Sequence, residues 1–378
     1  MIKFREVSYK LIAKNNQFTG HTIYKYRVKL ELYWLVEMKA AVYYGINDLK
    51  VEDVETPKIG PGDILIKVKA CGICGSDNRK LRKGSYNVVP PRILGHEVSG
   101  EVVETGSDVK DIKRGMRVTV APSIGCGKCF FCKINRENLC KSRLILGVNI
   151  DGGFAEYLKI PASYLKAVVP FADHIPYEEA ALTEPLACCL NGNLKINIKP
   201  GDTVVIIGDG PIGLMHLQLA RLRGARAIMS GLVEHRLQKA KELGAYEVIN
   251  SKVEDAVSRV KELTNGLGAD SVIVAVGNVP AIEQGLKMVR DDGNVVLFGG
   301  CPPGTKMELD PNLIHYSEIN VTGSIDCNLE TFERALHLIE AGLIKTRPLI
   351  THKFGLDEIL KGFDVADRLE GIKVLIIP

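Results

Sequence analysis

Residues 204–213 read VVIIGDGPIG, and this stretch decides the fold. Residues 204–207 form an apolar run typical of a buried strand, and the segment LMHLQLARLRG that follows the glycines has the period of a helix. Between them, Gly208 permits a tight turn, Gly210 lets the backbone approach a pyrophosphate, and Gly213 allows close packing of helix on strand. This strand, turn and helix predict a dinucleotide-binding site at Gly208, Gly210, Pro211, Ile212 and Gly213.

The segments downstream repeat the alternation of strand and helix. They include ARAIMSG, EHRLQKAKELG, YEVIN, a helix through 253–264, DSVIVAV, AIEQGLKMVR and GNVVLFGG. Such alternation implies right-handed βαβ units and a parallel sheet covered on both faces. We predict a doubly wound, Rossmann-type domain over 185–325, with Val276 and Phe298 as further cofactor contacts.

The segments upstream have a different rhythm. From residue 38 to about 170, short β-type runs alternate with Gly/Pro turns, among them DILIKVKA, EVSGEVVETG, RGMRVTVAP, FAEYLKI and LKAVVP. This pattern predicts a barrel-like β domain. The predicted fold class is therefore α/β, with a β-barrel domain and a Rossmann domain.

Length and composition exclude several classes of protein. A chain of 378 residues suits two domains, and its 46% hydrophobic and 25% charged residues are those of a soluble globular protein. The net charge of +4 is mild and unclustered, which argues against a nucleic-acid partner. The sequence contains no run of 18 apolar residues and no secretory signal pattern. We expect a cytoplasmic protein with no membrane partner.

Residues 1–37 differ from the rest of the chain. They are polar and aromatic-rich without a clear period, and Met38 opens a strand, turn and strand pattern. Met38 is a candidate start of the native protein. The alternative is a genuine extension that packs as an extra strand.

The end of the second Rossmann strand bears on the choice between NAD and NADP. An Asp or Glu there usually binds the adenosine ribose and selects NAD, but ARAIMSGLVEHR places Gly231 after Ser230 at that point. Ser230, His235 and Arg236 are candidate donors to a 2′-phosphate, which gives a slight preference for NADP. In the alternative, the strand is longer and Glu234 binds the ribose.

Four cysteines form the strongest metal signal, GCGKCFFCKINRENLC. A tetrahedral Zn²⁺ accepts four thiolates, and four of the ten cysteines fall within this segment. An iron–sulfur site is the main rival, but its bacterial pattern ends with three residues before a Cys-Pro pair, whereas here seven residues precede the last cysteine. The segment predicts a structural zinc held by Cys126, Cys129, Cys132 and Cys140.

A second, sparser set of ligands lies elsewhere in the chain: Cys74 in CGICGSD, His96 and Glu97 in LGHE, and Glu184 in LTEPLACC. Four thiolates overcompensate the charge of zinc, whereas one thiolate and one carboxylate balance it. Only the second set leaves the metal electrophilic, with an open position for chemistry. Each of these residues also has an ordinary explanation, as a buried cysteine or a hydrogen-bonded turn.

Together these motifs resemble the zinc-containing medium-chain dehydrogenase/reductases. The resemblance is carried, in order, by CGICGSD, GHE, the four-cysteine lobe, DGGFAEY, EPL and VVIIGDGPIGL, and spans residues 38–378. It implies a GroES-like catalytic domain over 38–184 with a zinc lobe at 122–144, and a C-terminal segment 326–378 that returns to that domain. A homodimer or homotetramer is also implied.

The resemblance also implies roles for individual residues. Cys74 and His96 would hold the catalytic zinc, and Glu97 and Glu184 would be its third ligand or water-mediated partner. Ser76 corresponds to the hydroxyl that takes the substrate proton, and Asp77 to a residue that orients the ligands. The implied reaction is hydride transfer between a secondary alcohol and NAD(P), with zinc lowering the pKa of the alcohol.

The chain departs from the family at Arg79, where many relatives place a histidine in the proton relay. Arginine cannot be deprotonated at working pH, so the proton must leave by ribose hydroxyls, water or another group. Arg79 also opens the basic run NRKLRKGSY. This run is either a solvated helix face or a site for a phosphorylated substrate.

The branch that the chain resembles contains the sorbitol, galactitol-phosphate and threonine dehydrogenases, because Glu184 stands where the alcohol dehydrogenases carry a second zinc cysteine. We predict oxidation of a polyol or sugar alcohol, which is either free or phosphorylated. L-Threonine 3-dehydrogenase is the enzymatic alternative. A zinc-ribbon interaction protein is an alternative of another class.

Overall fold

A computed structural model describes residues 37–85 and 87–378. The extension predicted at 1–37 lies outside these residues except for Glu37, which begins the first strand. The strands are β1 Glu37–Gly45, β2 Asp48–Glu55, β3 Ile64–Gly72, β4 Arg92–Ile93, β5 Glu97–Thr105, β6 Arg117–Val120, β7 Ser123–Ile124, β8 Leu144–Ile145, β9 Tyr157–Ile160, β10 Val168–Pro170, β11 Thr203–Ile207, β12 Arg226–Gly231, β13 Glu247–Asn250, β14 Ala269–Val274, β15 Val289–Leu297, β16 Asn320–Gly323, β17 Ile350–Gly355 and β18 Lys373–Ile377.

The helices connect and cover these strands. They are α1 Gly75–Lys83, α2 Phe130–Lys133, α3 Tyr177–Ala180, α4 Thr183–Asn193, α5 Pro211–Leu222, α6 Glu234–Glu242, α7 Ala256–Leu263, α8 Val279–Met288, α9 Pro311–His315, α10 Leu329–Glu340 and α11 Ile359–Asp367. Short 3₁₀ turns cover Glu137–Leu139, Ala162–Ala167, Arg347–Leu349 and Leu356–Glu358. Among the described residues, no helix is both long and apolar enough to cross a membrane.

Six parallel strands form one sheet in the order β13-β12-β11-β14-β15-β16. Every residue of β11 is buried, as expected for a central strand of a parallel sheet covered on both faces. The strand order reverses between β11 and β14, and ligands of doubly wound folds bind in the crevice at the carboxyl ends of the strands on either side of such a point. The glycine turn of residues 208–213 begins at the carboxyl end of β11.

The β domain is a second sheet, in the order β10-β6-β5-β3-β18-β17, with β9 also paired to β3. Its partner strands come from both ends of the described chain, because the C-terminal β18 pairs with β3 through Leu375–Gly72 and Ile376–Cys71. This pairing brings Lys373, the first residue of β18, to the point where β3 ends. Strands β2, β1 and β4 form a separate antiparallel sheet.

Helix α4 was not predicted from the sequence. Eight of its 11 residues are buried, so its sequence TEPLACCLNGN carries no amphipathic stripe. The predicted boundary between residues 184 and 185 falls inside this continuous helix, which carries Glu184 in its first turn. The domain limits stay predictions.

Candidate active site

Cys74 caps the first helix at the point where β3 leaves the sheet. The Cys74 thiol accepts the backbone N–H of Ser76 at 3.5 Å. The backbone N–H of Cys74 donates to Asp77 Oδ2 at 3.2 Å, which completes a reciprocal capping box. Both interactions fix the orientation of the thiol. Ser76 follows Cys74 by two positions and is half-buried.

His96 lies opposite this cap. The turn before it requires Gly95, whose φ is +93°, because a Cβ there would lie 2.8 Å from Cys71 Sγ. His96 Nδ1 lies 3.4 Å from Asp77 Oδ1, and the Asp77 side chain is fully buried. Burial disfavours the imidazolium, but Asp77 and the Cys74 thiol raise the pKa of His96 well above its usual value. Asp77 therefore holds the His96 ring through Nδ1, and Nε2 faces away from Asp77.

Two buried carboxylates complete the cluster, and their surroundings differ. Glu97 is ion-paired with Lys373, whose Nζ lies 2.5 Å from Glu97 Oε1 and 3.0 Å from Ile73 O. Glu184 Oε1 lies 4.0 Å from His96 Nε2. Burial raises the pKa of Glu184 to about 7, although His96 acts in the opposite direction. Lys373 therefore neutralises the Glu97 carboxylate, whereas among the described residues no cation lies as close to the Glu184 carboxylate.

These residues form a donor set that suits a catalytic zinc. Cys74, His96 and Glu97 each offer one ligand atom, and these atoms lie within 4.8 Å of one another. Sulfur, imidazole nitrogen and carboxylate oxygen are the ligand types of catalytic zinc sites, which leave one position open. The buried Glu184 carboxylate beside His96 Nε2 supports the same fit, since a cation would relieve its burial.

The four-cysteine lobe is a separate cluster. The sulfurs of Cys126, Cys129, Cys132 and Cys140 lie within 4.8 Å of one another, as a four-thiolate zinc site requires. The lobe is bonded to the segment after β16, because Asn138 Nδ2 donates to Ile325 O at 2.9 Å and Leu329 N donates to Glu137 Oε1 at 2.9 Å. Loss of the lobe would therefore disturb a segment that follows a strand of the parallel sheet.

A third group of ligand-type residues, Cys188, Asp326 and Cys327, was not predicted as a cluster. Their ligand atoms also lie within 4.8 Å of one another. Cys188 Sγ donates to Glu184 Oε1 at 3.5 Å, so the group adjoins the candidate catalytic cluster. Residues 188 and 327 are far apart in sequence, and no local spacing indicated their approach.

The glycine turn has the shape of a phosphate cradle. Gly208 has a φ of +118°, and a Cβ at Gly213 would lie 1.7 Å from Gly208 O, so neither position accepts a side chain. A Cβ at Gly210 would meet nothing within 4 Å, which leaves open space over the N-terminus of α5. These features fit a bound dinucleotide pyrophosphate.

Val276 and Phe298, the two further predicted contacts, follow the carboxyl ends of β14 and β15. Val276 lies against the glycine turn, since its Cγ1 would be 2.7 Å from a Cβ at Gly208. The Phe298 ring packs edge-on against His216, with 4.5 Å between the ring centroids. Both residues are half-buried and lie on the crevice side of the sheet.

The groups that favoured NADP have other partners. Ser230 Oγ shares a hydrogen bond of 2.8 Å with Ser251 Oγ, and Ser230 is almost fully buried. The Arg236 guanidinium is 4% exposed, donates to Gly371 O and lies 3.8 Å from Asp209 Oδ1. The preference for NADP therefore loses two of its three candidate donors, and the third, His235, is exposed in the first turn of α6. Gly231 adjoins Asp209, which occupies a variable position of the glycine motif.

The basic run NRKLRKGSY is partly neutralised. Arg82 is bound by Asp364 at 2.5 Å and Asp367 at 2.8 Å, and Lys80 Nζ lies 3.2 Å from Asp77 Oδ1. Arg79 is exposed and donates from Nη2 to Gly300 O at 3.3 Å.

Two hydrogen bonds connect the elements that carry the metal cluster with the region of the glycine turn. Arg79, on the helix capped by Cys74, reaches Gly300 beyond the end of β15. On the other side, Cys189 of α4 donates to Ile212 O in the glycine motif at 3.6 Å. The helices that carry Cys74 and Glu184 therefore both contact the crevice end of the parallel sheet.

Comparison with known protein families gives matches over both parts of the chain. The alcohol dehydrogenase GroES-like domain matches residues 60–171, and the zinc-binding dehydrogenase family matches residues 211–341. These matches confirm the predicted fold class and the resemblance to zinc-containing dehydrogenases.

Curated relatives align along most of the chain. Sorbitol dehydrogenase of Bacillus subtilis is 35% identical over 90% of this chain and 97% of its own length. D-Arabitol-phosphate dehydrogenase of Enterococcus avium is 38% identical over 88% of this chain and 94% of its own. L-Threonine 3-dehydrogenase of Thermococcus kodakarensis is 37% identical over 90% and 97%, respectively.

Solved structures give the same result. A protein from Sinorhizobium meliloti, described as a zinc-binding dehydrogenase and bound to NADP, superposes with a TM-score of 0.85 at 37% identity and covers 91% of this chain and 100% of its own. An alcohol dehydrogenase from Escherichia coli CFT073 complexed with NADH has a TM-score of 0.82 at 28% identity, covering 90% and 99%. Similar chains therefore occur with either nicotinamide cofactor.

Proposed function

The chain belongs to the zinc-binding dehydrogenases with an alcohol dehydrogenase GroES-like domain, and on this premise we propose that Cys74, His96 and a buried glutamate hold its catalytic zinc. The protein is a zinc-dependent NAD(P) oxidoreductase that interconverts a secondary alcohol and its ketone. The observation that carries this proposal is the Cys74–His96–glutamate cluster, whose helices are hydrogen-bonded to Gly300 and to Ile212 of the glycine motif. A zinc-ribbon interaction protein is not supported by matches that extend over both domains.

The roles of the protein groups follow from their positions. When bound, zinc supplies Lewis-acid polarisation of the alcohol oxygen and NAD(P) supplies the hydride acceptor. Ser76 is proposed to receive the hydroxyl proton, because it lies on the first turn after Cys74. Asp77 holds His96 in one orientation through its contact with Nδ1. Arg79 anchors α1 to Gly300 and its guanidinium has no acceptor for a proton, so the proton leaves through ribose hydroxyls or water.

Glu184 is proposed as the direct carboxylate ligand, with Glu97 as its alternative. Lys373 already neutralises Glu97, whereas burial raises the pKa of Glu184 to about 7 in the absence of a closer cation. A Glu184→Gln variant should therefore lose zinc from the catalytic site more readily than Glu97→Gln. Equal zinc loss in the two variants, measured by dialysis against a weak chelator, would oppose this assignment.

We propose a polyol or sugar alcohol as substrate, in line with the sorbitol and arabitol-phosphate dehydrogenases among the relatives. L-Threonine is the second candidate, because threonine 3-dehydrogenases of similar identity align over the same length. A panel of polyols, their phosphates and L-threonine, followed by NADH or NADPH absorbance with zinc present, decides between them. No turnover of any secondary alcohol would refute the function.

Arg79 is the proposed contact for a phosphorylated substrate. It is the exposed member of the basic run that contacts Gly300 beyond the end of β15, whereas Arg82 is bound by two aspartates. Arg79→Ala should lower kcat/KM for a polyol phosphate relative to the free polyol, and Arg82→Ala should leave that ratio unchanged. An unchanged ratio in both variants would exclude phosphate recognition by Arg79.

We propose a homodimer or homotetramer, in which the edge of the parallel sheet is covered. In the described part of the chain, β16 pairs with β15 on one side only. Val321 on this strand is 39% exposed, and Tyr316 nearby is 78% exposed. Val321→Asp should shift the mass measured by light scattering towards the monomer, and an unchanged mass would place the interface elsewhere.

A further inference from the structure

Asp209 lies inside the glycine motif, and its carboxylate is directed at the start of the next helix. Its Oδ2 accepts the backbone N–H of Leu232 at 2.6 Å and that of Val233 at 2.7 Å. Val233 is the N-cap of α6, so these amides belong to the turn between β12 and this helix. Asp209 is 7% exposed, which shows that the carboxylate is built into the protein rather than free in solvent.

This turn is where a Rossmann fold meets the adenosine ribose. Backbone N–H groups at a helix N-terminus attract anions, and a 2′-phosphate on the ribose is an anion delivered to this place. Here the Asp209 carboxylate already accepts both N–H groups, as a phosphate oxygen would. A second anion would lose these donors and would be repelled by the carboxylate.

Gly231 and Asp209 fit together. In NAD-binding folds the acidic residue usually ends the second strand, and Gly231 occupies that position as the last residue of β12. A Cβ at residue 231 would lie 2.4 Å from Asp209 Oδ2 and 2.6 Å from Asp209 Cβ, so no side chain fits there while Asp209 is present. The acid absent from the strand end is thus replaced by an acid from the glycine turn.

Arg236 does not reverse this charge. Its Nη1 lies 3.8 Å from Asp209 Oδ1, but its guanidinium is buried and donates to Gly371 O. It therefore holds the carboxylate from the protein side. Among the described residues, Asp209 Oδ1 makes no hydrogen bond of its own, which leaves it available to a ribose hydroxyl.

We propose that Asp209 selects NAD over NADP, by filling the anion site at α6 with its own carboxylate and by accepting a ribose hydroxyl. This selectivity rests on the proposed function, since it requires a dinucleotide bound across the glycine turn. It reverses the slight preference for NADP that the sequence suggested from Gly231, Ser230, His235 and Arg236.

The test is nucleotide binding without turnover. Calorimetry gives Kd values for ADP-ribose and 2′-phospho-ADP-ribose, which differ only in the phosphate. The wild-type protein should bind ADP-ribose at least about tenfold more tightly, and Asp209→Ala should weaken ADP-ribose and strengthen the phosphorylated ligand by a similar factor. Asp209→Asn, which keeps the shape but loses the charge, should lie between them.

A second variant separates selectivity from damage to the turn. Asp209→Gly combined with Gly231→Asp returns the acid to the strand end, and it should restore the preference for ADP-ribose. If the wild type binds ADP-ribose but Asp209→Ala gains nothing for the phosphorylated ligand, the selectivity role is wrong while the dehydrogenase function stands. If the wild type binds neither ligand, both proposals fail.

Discussion

Lys373 Nζ lies 2.5 Å from Glu97 Oε1, and the two side chains are 3% and 1% exposed. The pair joins β18 to the first residue of β5, and Glu97 is itself one of the candidate zinc ligands. Burial disfavours the lysine cation, but Glu97 raises the pKa of Lys373 above its usual value. The negative charge of Glu97 is therefore neutralised by a residue of the protein, Lys373.

Replacing Lys373 by Met should destabilise the protein strongly. The substitution leaves the Glu97 carboxylate buried without its cation, which typically costs about 3–5 kcal/mol. Denaturant unfolding of the zinc-loaded protein measures the loss. The double variant with Glu97→Gln should recover most of the stability, since both charges are then absent; equal stability of the wild type and Lys373→Met would contradict a buried ion pair.

Ser76→Ala should reduce turnover without removing zinc. Loss of a proton-transfer group typically lowers kcat by about 10²–10⁴-fold, whereas the thiol of Cys74 and its backbone contacts stay in place. Steady-state kinetics and zinc analysis of the same preparation test this. Ser76→Thr keeps a hydroxyl and is the matched control; if it is as impaired as Ser76→Ala, the effect is steric.

His216 should make stability fall as the pH is lowered. Burial lowers its pKa to about 3, whereas an exposed histidine titrates near 6.5. The unfolded chain therefore binds a proton below about pH 6.5 that the folded protein does not, and the stability present above that pH is lost towards about pH 3. At about pH 5 this loss is about 2 kcal/mol.

The pH effect is measured as a difference between variants. His216→Gln removes the titrating ring but keeps an acceptor for Asn193 Nδ2, which His216 Nδ1 meets at 2.7 Å. The melting temperature of this variant should decline less between about pH 7.5 and pH 5 than that of the wild type. His315→Gln, at an exposed histidine, is the control and should keep the wild-type slope. Parallel slopes for all three proteins would show that His216 is not the cause.

Local patterns predicted the fold and the four-cysteine cluster, because their residues are close in sequence or have fixed spacing, whereas the roles of Cys74, His96, Glu97 and Glu184 came from the family resemblance. The glycine turn and the four cysteines are of this kind. The Lys373–Glu97 pair joins residues 276 positions apart, which no spacing indicates. Helix α4 lacked an amphipathic stripe because it is buried on most sides.

The cofactor end shows the same limit of local patterns. Asp209 occupies a position that the motif leaves variable, so its contact with the next helix is visible only in three dimensions. Arg236 was identified by type as a phosphate ligand, but its burial and its contact with Gly371 are tertiary. Residue type predicted that charged side chains lie near the ribose, but it did not predict where each side chain points.

Zinc content and turnover of Cys74→Ser and Cys129→Ser test the central claim most directly, that one cluster does chemistry and the other holds structure. The wild type should carry two zinc ions per chain. Cys74→Ser should retain one zinc ion and most of its thermal stability but lose nearly all turnover. Cys129→Ser should lose the other ion and much of its stability, since a structural zinc contributes on the order of 10 kcal/mol. Full turnover in Cys74→Ser, or no loss of stability in Cys129→Ser, would contradict this division.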